Sequence, residues 1–131
     1  MRVFEYPLTI LETHLDVYGH VNNATYLRLY EDARWDFITK NGYGFAKIQE
    51  LGLGPIVLEA HVTYKKELSA REEVLIRSWV KGMKNRLIME IEQEMLKKGE
   101  VASTLLLTVG FFDLKARRLI PPTKEWLSAV E

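Results

Sequence analysis

Apolar and polar residues alternate over most of this chain, and one stretch departs from that alternation with a helical period. Phe4, Tyr6, Leu8 and Ile10 alternate with Glu5, Pro7 and Thr9, which predicts a first strand. Pro7 has no N–H to give to a ladder, so this strand belongs at a sheet edge or carries a bulge there. From about Ala24 to Lys40 the pattern becomes that of a helix. Arg28, Asp32, Asp36 and Lys40 recur every four residues as a charged face with two opposite-charge pairs. Leu27, Tyr30, Ala33, Phe37 and Ile38 form the opposing apolar stripe. Gly42 and Gly44 end the helix.

Four more strand-like runs follow. Ile56, Leu58, Ala60, Val62 and Tyr64 alternate with Glu59, His61, Thr63 and Lys65. A second run covers Val74 to Lys81, and a Gly-Met-Lys-Asn turn at Gly82 to Asn85 leads to a third, from Arg86 to Met95. There Leu87, Met89 and Ile91 share one face against Arg86, Glu90, Glu92 and Glu94. Lys98-Gly99 marks the next turn. The last run, about Val101 to Phe112, is apolar on both faces, as a central strand is. Gly52-Leu53-Gly54-Pro55 reads as a turn. Pro121 and Pro122 break the chain, and Thr123 is placed to cap a short terminal helix holding Trp126 and Leu127.

The pattern is α+β: a long helix against a five-stranded, mainly antiparallel sheet, with a short C-terminal helix. No repeat, low-complexity tract or linker divides it, so residues 1–131 read as one domain. One long helix covers one sheet face. Leu75, Trp79, Ile88, Leu106 and Phe112 fall on the other, and such a patch predicts a homo-oligomer, dimer or tetramer, assembled through the sheet.

Composition narrows the function. The 18 basic and 18 acidic residues cancel, so no global field draws the chain to nucleic acid or to an anionic membrane. No cysteine is present, which excludes disulfides, thiolate metal sites and cysteine nucleophiles and suits a reducing cytoplasm. Glu5, Pro7 and Glu12 interrupt the first residues, against a signal peptide, and no apolar run reaches the length of a membrane span.

The segment His14-Leu-Asp-Val-Tyr-Gly-His-Val-Asn-Asn-Ala-Thr-Tyr26 carries the chemistry. It sets a carboxylate, Asp16, in a loop just before the helix. Gly19 permits a sharp turn, and Asn22 or Asn23 can cap the helix. The first helical N–H groups lack intrahelical acceptors, and a carbonyl docked there has its developing oxyanion stabilised. Asp16 then activates water or attacks the carbonyl itself. Each residue taken singly also fits a purely structural loop and cap.

The run Asp16-x-x-Gly-His-Val-Asn-Asn-x-x-Tyr26, with Leu27, Glu31 and Arg34 beyond it, resembles the hotdog-fold thioesterases of the 4-hydroxybenzoyl-CoA thioesterase type. The likeness is nearest to the branch whose loop reads Gly-His-Val-Asn-Asn, and the order of elements extends it over about Phe4 to Asp113. The resemblance implies a helix wrapped by the sheet, paired subunits and active sites at their interface. It implies hydrolysis of an acyl-CoA, or alternatively acyl-ACP, with no metal or redox cofactor. Asp16 is then the catalytic carboxylate, as base or nucleophile, and the amide near Asn23 binds the thioester oxygen. His20 joins the catalytic set with an open role, and Gly19, Val21, Asn22 and Tyr26 contact substrate. A related branch has histidine where Asn23 stands, so its histidine-assisted mechanism does not transfer. Another takes its carboxylate from within the helix, near the depth of Glu31. Asp16 ranks above Glu31, because Glu31 and Arg34, three apart on one helix, equally suit an ion pair.

Other residues weigh less. His14 and His20 are six apart with no cysteine beside them, which argues against a metal site, and His61 reads as a strand-face residue. Lys65, Lys66, Lys81, Lys84, Arg86, Arg117 and Arg118 are mainly solvated charges, some of them available to CoA phosphates. Tyr30, Phe45, Ile56 and Leu58 are placed to shape the acyl pocket. The competing reading is a non-catalytic acyl-CoA-binding module, with a dehydratase or hydratase third.

Overall fold

The computed structural model describes residues 1–131. One antiparallel sheet is built from β1 (Phe4–Thr9), β2 (Leu53–Tyr64), β3 (Glu73–Met83), β4 (Ile88–Lys97), β5 (Glu100–Asp113) and β6 (Arg118–Ile120). Its order is β1-β3-β4-β5-β2, with the three-residue β6 added beside β5. Three helices complete the fold: α1 (Asn23–Lys40), α2 (Phe45–Leu51) and α3 (Lys124–Val130). β1 and β2 are the edges, which is where Pro7 and Pro55 are tolerated. β5 lies between β4 and β2, as its apolarity on both faces requires. Lys98 and Gly99, at φ +51° and +78°, form the two-residue turn from β4 to β5, whose left-handed backbone matches strand twist.

The Asn22 side chain caps α1 by accepting from the Ala24 amide at 2.9 Å. At the other end the Gly42 amide donates to Thr39 and the Tyr43 amide to Ile38, both at 3.0 Å. That is a Schellman ending, and Gly42, at φ +93°, supplies its left-handed residue. The buried face holds Tyr26, Leu29, Tyr30, Ala33, Phe37 and Ile38. Leu27, expected inside, is 39% exposed. Counting from buried Tyr26, the same face recurs at Leu29 and Tyr30, which leaves Leu27 turned toward the side of the helix.

Three local departures have physical causes. Leu58 is an extra residue, a bulge between Val57 and Glu59. A bulge exchanges the faces on its two sides, so Pro55 and Val57, rather than Ile56 and Leu58, share the inner face with Ala60. β3 runs on to Met83, and the following turn is closed by Asn85, whose side chain accepts the Leu87 and Ile88 amides at 2.9 and 3.0 Å. Gly52, expected in a turn, is the left-handed end of the unanticipated α2, and β2 starts straight after it.

Beneath α1 three polar side chains, Ser78, Gln93 and Ser103, are fully buried on the inner face of the sheet. Gln93 Nε2 donates to the Tyr30 carbonyl at 3.1 Å and to Ser78 Oγ at 2.8 Å, and its Oε1 accepts from Arg34 Nη1 at 2.8 Å. The Tyr30 hydroxyl donates to Ser103 Oγ at 2.9 Å, which donates to the Thr63 carbonyl at 2.8 Å. Apolar burial drives α1 onto the sheet without fixing its rotation. These directional bonds, each worth about 1 kcal/mol net, fix it.

Candidate active site

The loop before α1 is held from both sides. His14 Nδ1 accepts the Leu11 amide at 2.9 Å, which assigns this histidine to its own single turn of 3-10 helix. Leu15 pairs with Val21 and His20 with Ser69, while the Val21 amide donates to Leu68 at 2.9 Å and the Asn22 amide to His14 at 3.0 Å. Between these ties Asp16 to His20 form a tight projection. The Asp16 amide donates to the His20 carbonyl at 2.8 Å, and the Gly19 amide to the Asp16 carbonyl at 3.1 Å. Gly19 sits at φ +79°, a conformation that a side chain would strain.

Within this turn Asp16 Oδ1 accepts the Tyr18 amide at 2.8 Å and the His20 amide at 3.3 Å. Oδ2 has no hydrogen-bond partner in the chain. At the start of α1 the Ala24 amide is taken by Asn22 Oδ1 and the Thr25 amide by the Asn22 carbonyl, both at 2.9 Å. The Asn23 amide, first in the helix, has no acceptor within the chain. The Asn23 carbonyl accepts the Tyr64 hydroxyl at 2.9 Å, and the Tyr64 ring meets Tyr26 edge-on at 5.0 Å, which fixes the helix start on β2. The Tyr26 hydroxyl is pushed up in pKa by burial first, then by Tyr64 and by the charges of Asp16 and Glu67. The loop that carries Asp16 thus runs directly into a helix start fixed by Tyr64 and Tyr26.

The other expected site residues have definite places. His20 directs Nε2 toward Glu67 at 3.4 Å, and its backbone, rather than its ring, meets Asp16. Val21 and Tyr26 are buried in the core, so neither presents a free face, and the Asn22 side chain is the helix cap. Gly19 is exposed in the loop. No group of three or more His, Cys, Asp or Glu side chains gathers as a metal site. No helix is long and apolar enough to cross a membrane. Among the basic residues considered for phosphate, Lys66 and Lys81 pair with Glu100 and Glu92.

Two clefts, of about 400 and about 280 Å³, run along the side of α1 that faces β2 and meet at Glu31, Arg34 and Val57. The first opens beside Ala24 and the second ends against Ile38 and Trp126. Asp16 lines neither. The ion pair expected between Glu31 and Arg34 does not form: Glu31 is exposed, and Arg34 reaches down to Gln93. Burial pushes the Arg34 guanidinium down in pKa, against the charge of Glu31. Of the residues expected to shape an acyl pocket, Tyr30 is sealed in the core and Phe45 is exposed. Leu27 and Val57 line the groove instead, because the helix face and the β2 bulge turn them there.

Residues 11–130 match the thioesterase-like superfamily. Over 108 residues the chain is 29% identical to the long-chain acyl-CoA thioesterase FadM of Escherichia coli (strain K12), spanning 82% of this chain and 81% of that protein. A DHNA-CoA thioesterase from Staphylococcus aureus superposes with a TM-score of 0.86 at 25% identity, over 98% of this chain and 89% of that one. A hypothetical protein of the same organism, in complex with CoA, superposes with a TM-score of 0.90 at 19% identity, over 98% and 81%. That last likeness concerns the fold alone.

Proposed function

The chain belongs to the thioesterase-like superfamily, and on that premise we propose that it hydrolyses an acyl-CoA thioester to the free acid and CoA. One observation carries the assignment of the carboxylate. Asp16 Oδ1 is held by two loop amides while Oδ2 is free, in the loop that leads into a helix whose first amide is also free. A thioester carbonyl at that start receives the Asn23 N–H, reinforced by the positive end of α1. As a base, Asp16 takes a proton from water, the resulting hydroxyl adds to the thioester carbon, the C–S bond breaks, and the proton on Asp16 passes to the departing sulfur to give the thiol. As a nucleophile, Asp16 adds to the thioester carbon, the C–S bond breaks to expel the CoA thiolate, and water then cleaves the resulting acyl anhydride to the free acid and the Asp16 carboxylate. The backbone clamp orients the carboxylate in either route. CoA is favoured over ACP as the acyl carrier because FadM and the DHNA-CoA thioesterase both act on CoA thioesters. Half-buried Leu75, Trp79, Leu106 and Phe112 on the outer sheet face support association of copies.

Thiol release from a panel of acyl-CoAs tests the reaction, and Asp16→Asn tests the residue. The variant loses about 100-fold or more in kcat with the fold kept. Binding of acyl-CoA with no thiol release supports the carrier module instead. A second reading rests on the groove, where the carboxylate present is Glu31 rather than Asp16. A loss confined to Glu31→Gln moves the reaction there.

A further inference from the structure

Arg34 occupies the junction of the two clefts, with hydrogen-bonding capacity that the chain does not use. Its one hydrogen bond goes to a neutral acceptor, Gln93 Oε1 at 2.8 Å. Neither Arg34 nor Arg28, which also lines the first cleft, has a carboxylate within salt-bridge distance. No fully buried side-chain nitrogen lacks a partner, so the Arg34 nitrogens without one keep some exposure, and Arg34 lines both clefts. A guanidinium has five donors and binds carboxylates through two at once. A half-buried cation held by one neutral group is left without a counter-charge, and a carboxylate that accepts two of its donors at once supplies one in the geometry that repays its desolvation.

The approach to Arg34 has the opposite chemistry. Leu27, Val57, Ala60 and Leu107 line the first cleft between Ala24 and Arg34, and methylenes suit such a wall. At 1.5 Å per residue the helix carries Arg34 about 16 Å along its axis from Asn23. A group that meets Arg34 while the thioester sits at Asn23 is therefore at the far end of a medium-length chain. Exposed Glu31 opposes an anion there, but its charge is screened by solvent and outnumbered by Arg28 and Arg34.

We propose that Arg34 is a specificity residue that selects ω-carboxyacyl-CoA thioesters, gripping the distal carboxylate while apolar groove walls hold the intervening methylenes. This rests on the reading of the chain as an acyl-CoA hydrolase with the thioester at Asn23.

The test compares thiol release from decanoyl-CoA, its ω-hydroxy analogue and its ω-carboxy analogue. In the wild-type chain kcat/KM for the ω-carboxy substrate exceeds that for decanoyl-CoA by about tenfold or more. The ω-hydroxy substrate falls between them. That ratio collapses in Arg34→Met and is partly kept in Arg34→Lys, whatever the absolute rates. Equal use of the three substrates by the wild type, or a ratio that survives Arg34→Met, overturns the selectivity and leaves the hydrolase reading standing. Thiol release from none of the three overturns the selectivity, and failure across the wider acyl-CoA panel overturns the hydrolase reading as well. The wild-type comparison needs no variant to fold.

Discussion

Asp16 and His20 close their loop twice over: the Asp16 amide donates to the His20 carbonyl at 2.8 Å, and the His20 amide donates to Asp16 Oδ1 at 3.3 Å. One carboxylate oxygen thus has a structural duty, and the other, without a partner in the chain, is the one available to the proposed chemistry. The two duties separate by substitution. Asparagine keeps an oxygen that can accept the Tyr18 and His20 amides, so Asp16→Asn loses turnover with little change in stability. Asp16→Ala removes the acceptor as well and lowers stability by about 1 kcal/mol, as loss of a side-chain cap does. Urea midpoints beside thiol-release rates read both effects. Equal midpoints for the two variants contradict the clamp.

The Asn23 amide is a backbone group, yet it can be removed. Asn23 is the first residue of α1, where proline is well tolerated because that N–H has no intrahelical acceptor. Asn22 before it is already extended, at φ −62° and ψ 140°, as a residue preceding proline must be. Asn23→Pro is therefore expected to keep α1 and its stability while deleting the proposed oxyanion donor. The loss in kcat is about 100-fold or more, near 3 kcal/mol of transition-state stabilisation. Asn23→Ala, which retains the N–H, shows a smaller loss. Full activity in the proline variant removes the amide from the mechanism.

Long-period patterns were legible in the sequence and single-residue shifts were not. The edge position of β1 follows from Pro7, the central place of β5 from its two apolar faces, and the α3 cap from Thr123, whose Oγ1 accepts the Trp126 amide at 3.3 Å. The loop motif around Asp16 pointed to the thioesterase-like superfamily, which the match over residues 11–130 shows, and to a helix start that Asn22 does cap. The groove was missed, because one inserted residue at Leu58 reverses which side chains of β2 face α1, and alternation carries no mark of a bulge. Arg34 was assigned a helical partner by spacing alone, when its partner comes from the sheet, 59 residues away.

Gln93 is the hub of the buried polar network, so its loss costs more than one hydrogen bond. Replacing it with leucine leaves the Tyr30 carbonyl without a sheet donor, Ser78 without a partner and the Arg34 guanidinium without its acceptor. A buried polar group left unsatisfied costs about 1–3 kcal/mol, more where a charge is involved. Gln93→Leu is expected to destabilise by about 3 kcal/mol. Tyr30→Phe removes only the hydroxyl bond to Ser103, which still donates to Thr63, and costs about 1 kcal/mol. Chemical denaturation of the two variants checks the order, and a smaller loss for Gln93→Leu contradicts the hub.

Acid sensitivity follows from Glu72. Its carboxyl is held below the usual glutamate value chiefly by the Lys97 ammonium at 2.8 Å, against the opposing effect of burial, and with further help from the Ser69 amide at 2.7 Å. Folding thus favours the charged form. The stabilisation is fully present above the unfolded-state pKa, about 4.3, and is lost as pH falls through the lower native value. In Glu72→Gln an oxygen remains to accept the Ser69 amide, but the ion pair is gone. The variant is less stable than the wild type at neutral pH by up to about 1 kcal/mol. Their urea midpoints converge as pH drops from about 5 to about 3. Because Ser69 bridges to His20 and Leu68 accepts the Val21 amide, the same titration loosens the segment that braces the Asp16 loop. Thiol release at low pH should therefore fall further in the wild type than in the variant, relative to their neutral rates, and parallel pH profiles for the two proteins would contradict that coupling.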